Sequence, residues 1–196
     1  MSENLRPSPS ATDPRAQRTR NRLGDALIAL IQEKSFDGVT VQDVLDRAGV
    51  SRSTFYAHFR DKHDLLLSDV DAFADGVALH LVRSRDRSER VAPVEELFTH
   101  VAEMEPLRRA LANTQEFHDV WELVEAHLAR GIEARLEQIA RAGAISPAQR
   151  APLAHAAAGS FMALLEWWLR ASAPPTPREM DALFHRQFWS GASAAG

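Results

Sequence analysis

The 196-residue chain contains no cysteine, which excludes disulfide scaffolds, thiolate-bound zinc, iron–sulfur clusters and cysteine nucleophiles together. No stretch approaches the roughly 18 to 20 uninterrupted apolar residues of a membrane span, so no membrane association is expected. Residues 1 to 15 lack the apolar centre of a secretory signal, and a cytoplasmic location is the expectation. Glycine-rich phosphate loops, nucleophile elbows and an HExxH pattern are also missing, so the chain reads as a non-enzyme with no cofactor and no metal site. His118 with Glu122 and Glu125, and His100 with Glu103, fall at helical spacings, but pairs of this kind are ordinary on solvated helices. Positive charge is not in excess either. Twenty-three basic and 27 acidic residues give a net charge of -4, which argues against a surface built throughout for nucleic acid.

What is present is ordinary globular composition, 45% hydrophobic and 26% charged, in a length that suits one medium domain or two small ones at roughly 100 to 200 residues each. Residues 1–14, with Pro7, Pro9 and Pro14 among small polar residues, read as a disordered arm. Leu23, Ala26, Leu27, Leu30 and Ile31 then recur at helical spacing up to Phe36-Asp37-Gly38. Thr40 with Asp43 opens a second, short helix that Gly49 stops, and Ser51 opens a third over 52–59. Asp61 caps a fourth, which the spacing of Leu66, Val70, Phe73, Val77 and Leu81 carries to about residue 83. Later patterns cover 94–101, 107–113, a long helix marked from Val120 to Ile139 and closed by Gly143, 146–172, and 178–189. No convincing alternating strand pattern occurs. The expected fold is all-α, with about nine helices.

Residues 40–59, TVQDVLDRAGVSRSTFYAHF, form a helix-turn-helix: the glycine permits the turn, while Val44, Leu45, Ala48, Val50 and Phe55 lock the two helices together. The outer face of the second helix carries Ser51, Arg52, Ser53, Thr54, Tyr56 and His58, all hydrogen-bond donors and none acidic, as a helix beside phosphates and base edges requires. From the basic start (Arg18, Arg20, Arg22) through Phe36, Gly38, Thr40-Val41, Asp43-Val44, Ala48-Gly49-Val50-Ser51, Thr54-Phe55-Tyr56, His58-Phe59, Lys62 and Asp64-Leu65-Leu66, residues 16 to 68 resemble the TetR family of bacterial transcriptional regulators. The resemblance implies a DNA-binding domain over 15–68, an effector-binding and dimerisation domain over 69–191 and a flexible tail over 192–196. It further implies a homodimer that binds double-stranded DNA at a palindromic operator, in the family's default role of repressor, released by a small-molecule effector whose identity the sequence leaves open. By position, Thr40 and Ser51 become helix caps near the DNA backbone, Tyr56 and Lys62 phosphate contacts, Arg52, Ser53 and Thr54 base readers, and His58 a further contact. The competing reading of each is a solvated helix face.

In the rear half, Ala157, Phe161, Leu164 and Trp167 on one helix and Leu183, Phe184 and Phe188 on the last are candidates for the dimer interface; packing of the single chain is the competing role. Candidates to line an effector cavity are Phe73, Phe98, Met104, Phe117, Trp121, Met162 and Trp168, with His118, His100 or Glu166 as polar handles, and core packing is again the alternative. A helical adaptor without DNA binding is the other class of function; it leaves the acid-free face of residues 51–58 unexplained. The charge objection weakens when the chain is divided, because residues 1–70 hold ten basic and ten acidic side chains and the remainder carries the whole -4.

Overall fold

The computed structural model describes residues 14–83, 87–104, 115–139 and 145–194. Among these, nine α-helices and one 3-10 turn occur and no strand, the all-helical architecture expected. Helix α1 (Pro14–Glu33) buries one stripe, Leu23, Ala26, Leu27, Leu30 and Ile31, which recurs every three or four residues and so lies along one face. The 3-10 turn Phe36–Gly38 leads to α2 (Val41–Ala48). Thr40 and Asp43 cap α2 reciprocally: the Asp43 amide donates to the Thr40 hydroxyl at 3.1 Å and the Thr40 amide to the Asp43 carboxylate at 2.8 Å. Gly49 ends α2 at φ +60°, a left-handed conformation that glycine adopts without penalty.

Helix α3 (Arg52–Tyr56) is shorter than the expected 52–59. Its last turn tightens, the amides of His58 and Phe59 both donating to the Phe55 carbonyl at 2.9 Å, and the chain then extends so that Asp61 can cap α4 (Lys62–Ala78). α4 also stops earlier than its apolar spacing implies. Leu79 leaves the helical conformation and α5 (His80–Arg83) follows as a separate turn. The remaining helices are α6 (Val94–Glu103), α7 (Gln115–Leu136), α8 (Pro147–Arg170) and α9 (Pro177–Ala194). α9 therefore runs past Trp189 and into the segment expected as a tail. The helix expected near 107–113 and the stop at Gly143 lie outside the described residues, as does the arm up to residue 13.

Two cores result. The front one joins α1, α2, α3 and the start of α4 around the fully buried Leu23, Leu27, Val44, Phe55 and Leu66. The rear one joins α6, α7, α8 and α9 around Phe98, Leu128, Ile132, Ala158 and Phe161. α4 serves both, with Leu65 and Leu66 in the front core and Val77 packed on the rear one, so the expected boundary after residue 68 falls inside a continuous helix. α4 packs along α7 in the same direction. His63 Nε2 lies 3.0 Å from Asp119 Oδ2, and His127 Nε2 lies 2.8 Å from Asp71 Oδ1. Arg130 donates to His127 Nδ1 at 2.8 Å, which fixes the proton of that buried ring on the nitrogen facing Asp71. Nearer the end of α4, Gly131 brings α7 against the Ala78 carbonyl.

The segment 88–92 is tied down from three sides: Arg135 donates to the carbonyls of Arg90 and Ser88, Trp189 Nε1 to that of Glu89, and Arg90 pairs with Glu96 and Asp181. No helix among the described residues is long and apolar enough to cross a membrane, and no group of three metal-ligating side chains occurs among them.

Candidate nucleic-acid interface and cavity

The front of the molecule presents α3 on a rigid base. Arg22 of α1 donates to the carbonyls of Ala48 and Gly49, binding the turn of the helix-turn-helix to α1. Phe55 is fully buried beneath α3, with Tyr56 edge-on to it at 5.3 Å between ring centres. Tyr56 itself is 51% exposed, a large aromatic left open to solvent. Arg52 and Ser53 are also exposed, and the Arg52 guanidinium donates to Gln42 on α2 at 3.1 Å. That contact places Gln42 on the same outward surface, a position the sequence reading did not single out; its only signal was an exposed amide in the first turn of α2.

Ser51, exposed, and Thr54, half-buried, are engaged with each other at the helix start. Ser51 accepts from the Thr54 amide at 3.2 Å and its hydroxyl lies 2.7 Å from that of Thr54, so both hydroxyls serve the helix cap. Thr40 likewise caps α2, its hydroxyl donating to Asp43. Lys34 completes this corner, and its ammonium, with the Thr40 amide and hydroxyl, holds the Asp43 carboxyl well below the usual carboxylate range. His58 is half-buried in a groove with Arg20, Gln17 and Asn21 of α1.

Lys62 differs from expectation. Its ammonium donates to the carbonyls of Phe36 at 2.7 Å, Val39 at 2.9 Å and Asp37 at 3.3 Å, and sits 4.5 Å from the centre of the Phe36 ring. An ammonium has three donors, and all three are engaged within the chain. The residue clasps the 3-10 turn to the start of α4 instead of reaching outward.

Behind α4 lies a cavity of about 260 Å³ between α1, α4, α6, α7 and α8. Of the residues expected there, Phe73, Met104, Trp121 and Met162 line it, and so does His100, stacked on Phe73 at 4.2 Å. Burial holds the His100 imidazole below its ordinary pKa against the opposing pull of Glu103. Phe98 and Trp168 do not line it. Phe98 is fully buried and packs edge-on to Phe161 and Trp168, while the Trp168 indole donates to the Pro175 carbonyl at 2.6 Å. His118 is exposed, 3.2 Å from Glu122 one turn on, Glu166 is exposed beside Arg170, and the Phe117 side chain lies outside the described residues. The sequence reading missed Leu97, Val101, Val124 and Leu165 on the wall, because apolar residues on a core helix look alike whether they face a neighbour or a void, and it missed Asp69, which reads as an ordinary solvated acid.

The expected interface residues also divide. Ala157, Phe161 and Phe184 are buried in the rear core of the chain itself and are unavailable to a partner. Leu164 and Phe188 are half-buried, whereas Trp167 and Leu183 are 54% and 37% exposed.

Residues 23–68 match the family model described as bacterial regulatory proteins, tetR family. Over 126 residues the chain is 31% identical to the HTH-type transcriptional regulator EthR of Mycolicibacterium smegmatis, a match covering 55% of this chain and 58% of that protein. The chain spans between 20% and 58% of the length of the curated relatives it matches. In three dimensions it is similar to a TetR transcriptional regulator from Streptococcus agalactiae 2603V, at a TM-score of 0.60 and 23% identity, with 89% of this chain and 95% of that one covered. It is also similar to RolR, solved in complex with resorcinol, at a TM-score of 0.60 and 20% identity, with 88% of each chain covered. These two likenesses concern the fold.

Proposed function

We propose that the chain, whose residues 23–68 match the TetR family of bacterial regulatory proteins, is a regulator of that family that represses transcription by binding a palindromic operator as a homodimer and leaves the DNA when a small molecule fills the cavity behind α4. The observation that carries this reading is α3: an exposed, acid-free face of Arg52, Ser53 and Tyr56 held on a buried Phe55. Arg52 reads base edges, with Gln42 beside it, and Tyr56 and Ser53 meet the backbone. Thr40, Ser51 and Thr54 shape the two helix starts, whose unpaired amides attract phosphate, and Lys62 positions α4 under the unit. His58 is a contact only at the edge of the groove it shares with α1.

One such helix reads few base pairs, so specific affinity needs two, set one helical turn of about 34 to 36 Å apart or a multiple of it. Trp167 of α8 and Leu183 of α9 are large exposed apolar groups outside α3 and the cavity, and with the half-buried Leu164 and Phe188 of the same two helices they offer a surface for a second copy to cover. The cavity touches α1 and α4 as well as the rear helices, so an occupant can bias how α4 sets the front domain. The occupant shifts that equilibrium only by binding the DNA-incompetent form more tightly. RolR with resorcinol supports a small-molecule site in a protein of this fold.

The test is an electrophoretic shift of the full chain on the DNA upstream of its own gene and on a scrambled copy. Selective retardation of the native fragment, weakened for Arg52→Ala, is expected. Equal retardation of both at every salt concentration would sink the reading.

A further inference from the structure

Asp69 is a carboxylate in the wrong surroundings for a charge. It stands on α4 where that helix crosses α1, so close to Gly24 that a Cβ there would lie 2.6 Å from its Oδ1. On the other side it lines the cavity, whose remaining wall is almost wholly apolar: Val70, Phe73, Trp121, Val124 and Met162 among others. Among the described residues no hydrogen bond and no ion pair reaches it. Asp69 also borders the groove that holds Arg20 and His58, where the Arg20 guanidinium is directed to Ser68 and the Phe59 ring. Burial, and after it the like charge of Asp25, pushes the Asp69 carboxyl above the usual carboxylate range. A half-buried carboxylate that faces a like charge and has no donor is costly, and a cation placed beside it removes that cost.

We propose that the cavity is a site for a small organic cation, a protonated amine on an apolar body, with the ammonium paired to Asp69 and the body against Phe73 and Trp121. This rests on the reading of the cavity as an effector site and specifies its ligand. No lysine or arginine lines the cavity among the described residues, and burial holds the imidazole of its His100 below the ordinary pKa, so an anion would meet Asp69 with no permanent positive charge beside it. The aromatic walls add attraction for a cation over a ring face. At about 260 Å³, the volume lies just under the roughly 300 to 1,000 Å³ of sites for drug-sized ligands, which limits the occupant to about one ring and a short chain. Because Asp69 also touches α1 at Gly24, a ligand drawn to it acts at the joint between the two cores.

The experiment is titration of the full chain with 4-phenylbutylamine, 4-phenylbutan-1-ol and 4-phenylbutyrate, followed by calorimetry and by tryptophan fluorescence, with operator affinity measured alongside. The amine is expected to bind about tenfold or more tightly than the alcohol, and Asp69→Asn to erase that preference while leaving the alcohol within about twofold. Should Asp69→Asn fail to fold, Phe73→Leu on the cavity rim serves, and is expected to weaken the amine more than the alcohol. If the alcohol or the butyrate binds as tightly as the amine, or the preference survives Asp69→Asn, the cationic ligand is wrong and the cavity remains a ligand site. If none of the three binds at millimolar concentration, both readings fall. If the amine binds with the expected preference but operator affinity does not move, the ligand class stands and its regulatory role is lost.

Discussion

Gly131 of α7 lies directly under the end of α4, where a Cβ would stand 2.3 Å from the Ala78 carbonyl oxygen. Backbone cannot yield there as a flexible side chain would. Gly131→Ala is therefore expected to push the two helices apart and to lower stability by about 1 to 3 kcal/mol, the usual cost of overpacking. Denaturant melts measure the loss, and an unchanged midpoint would show that the crossing has slack.

Lys62 and Arg52 are expected to separate in DNA binding. Lys62→Ala leaves the Val39 carbonyl without its donor, while that of Phe36 keeps the Val39 amide, and is expected to cost about 1 to 3 kcal/mol of stability. Its effect on the dependence of operator affinity on salt should be nil, because the ammonium points into the chain. A slope reduced by about one would instead put Lys62 on a phosphate. Arg52→Ala should relax discrimination at one base pair by about 1 to 3 kcal/mol, read by affinities across single-base operator variants.

Acid should loosen the front domain through Asp43. Its carboxyl titrates lower in the folded chain than the ordinary 3.8, so its contribution to stability is complete above that value and disappears as the pH falls through the folded one. Asp43→Asn should lower stability at pH 7 and flatten its decline below about pH 4. Parallel declines of variant and parent between pH 7 and pH 2 would remove Asp43 from the acid response.

A charge at Trp167 or Leu183 should dissociate the proposed dimer without unfolding the chain. Trp167→Glu and Leu183→Glu are expected to shift the sedimentation velocity toward the monomer with the thermal midpoint of the protomer little changed. Phe161→Ala, in the buried rear core, should instead lower stability by about 3 to 5 kcal/mol. If neither glutamate variant changes the sedimentation, the second copy sits elsewhere.

Features governed by neighbours in sequence were readable without coordinates. Thr40 with Asp43, Gly49 and Ser51 stand where the caps and the turn form, since capping is a matter of three or four residues. The stripe from Leu23 to Ile31 announced its buried face for the same reason. Lys62 was misread because its partners are carbonyls brought up by the 3-10 turn, and a carbonyl leaves no mark in a sequence. On α8, Ala157, Phe161, Leu164 and Trp167 all look fit for an interface, since apolar residues surround that helix and only its packing against α7 and α9 decides which are covered. The break at Leu79 has no glycine or proline to signal it.

The two histidine–aspartate contacts between α4 and α7 stand eight residues apart on both helices, at His63 and Asp71 on one and Asp119 and His127 on the other. Eight residues rise about 12 Å along a helix, and one turn of axial slip is about 5.4 Å, so such a slip would part both rungs of this ladder at the same moment. Shear between these helices therefore costs both contacts, and a swing of α4 about its tight crossing at Gly131 and Ala78 costs the His63–Asp119 one. A swing pivoted near residue 78 moves the far end of α4, and with it α3, through the widest arc in the molecule.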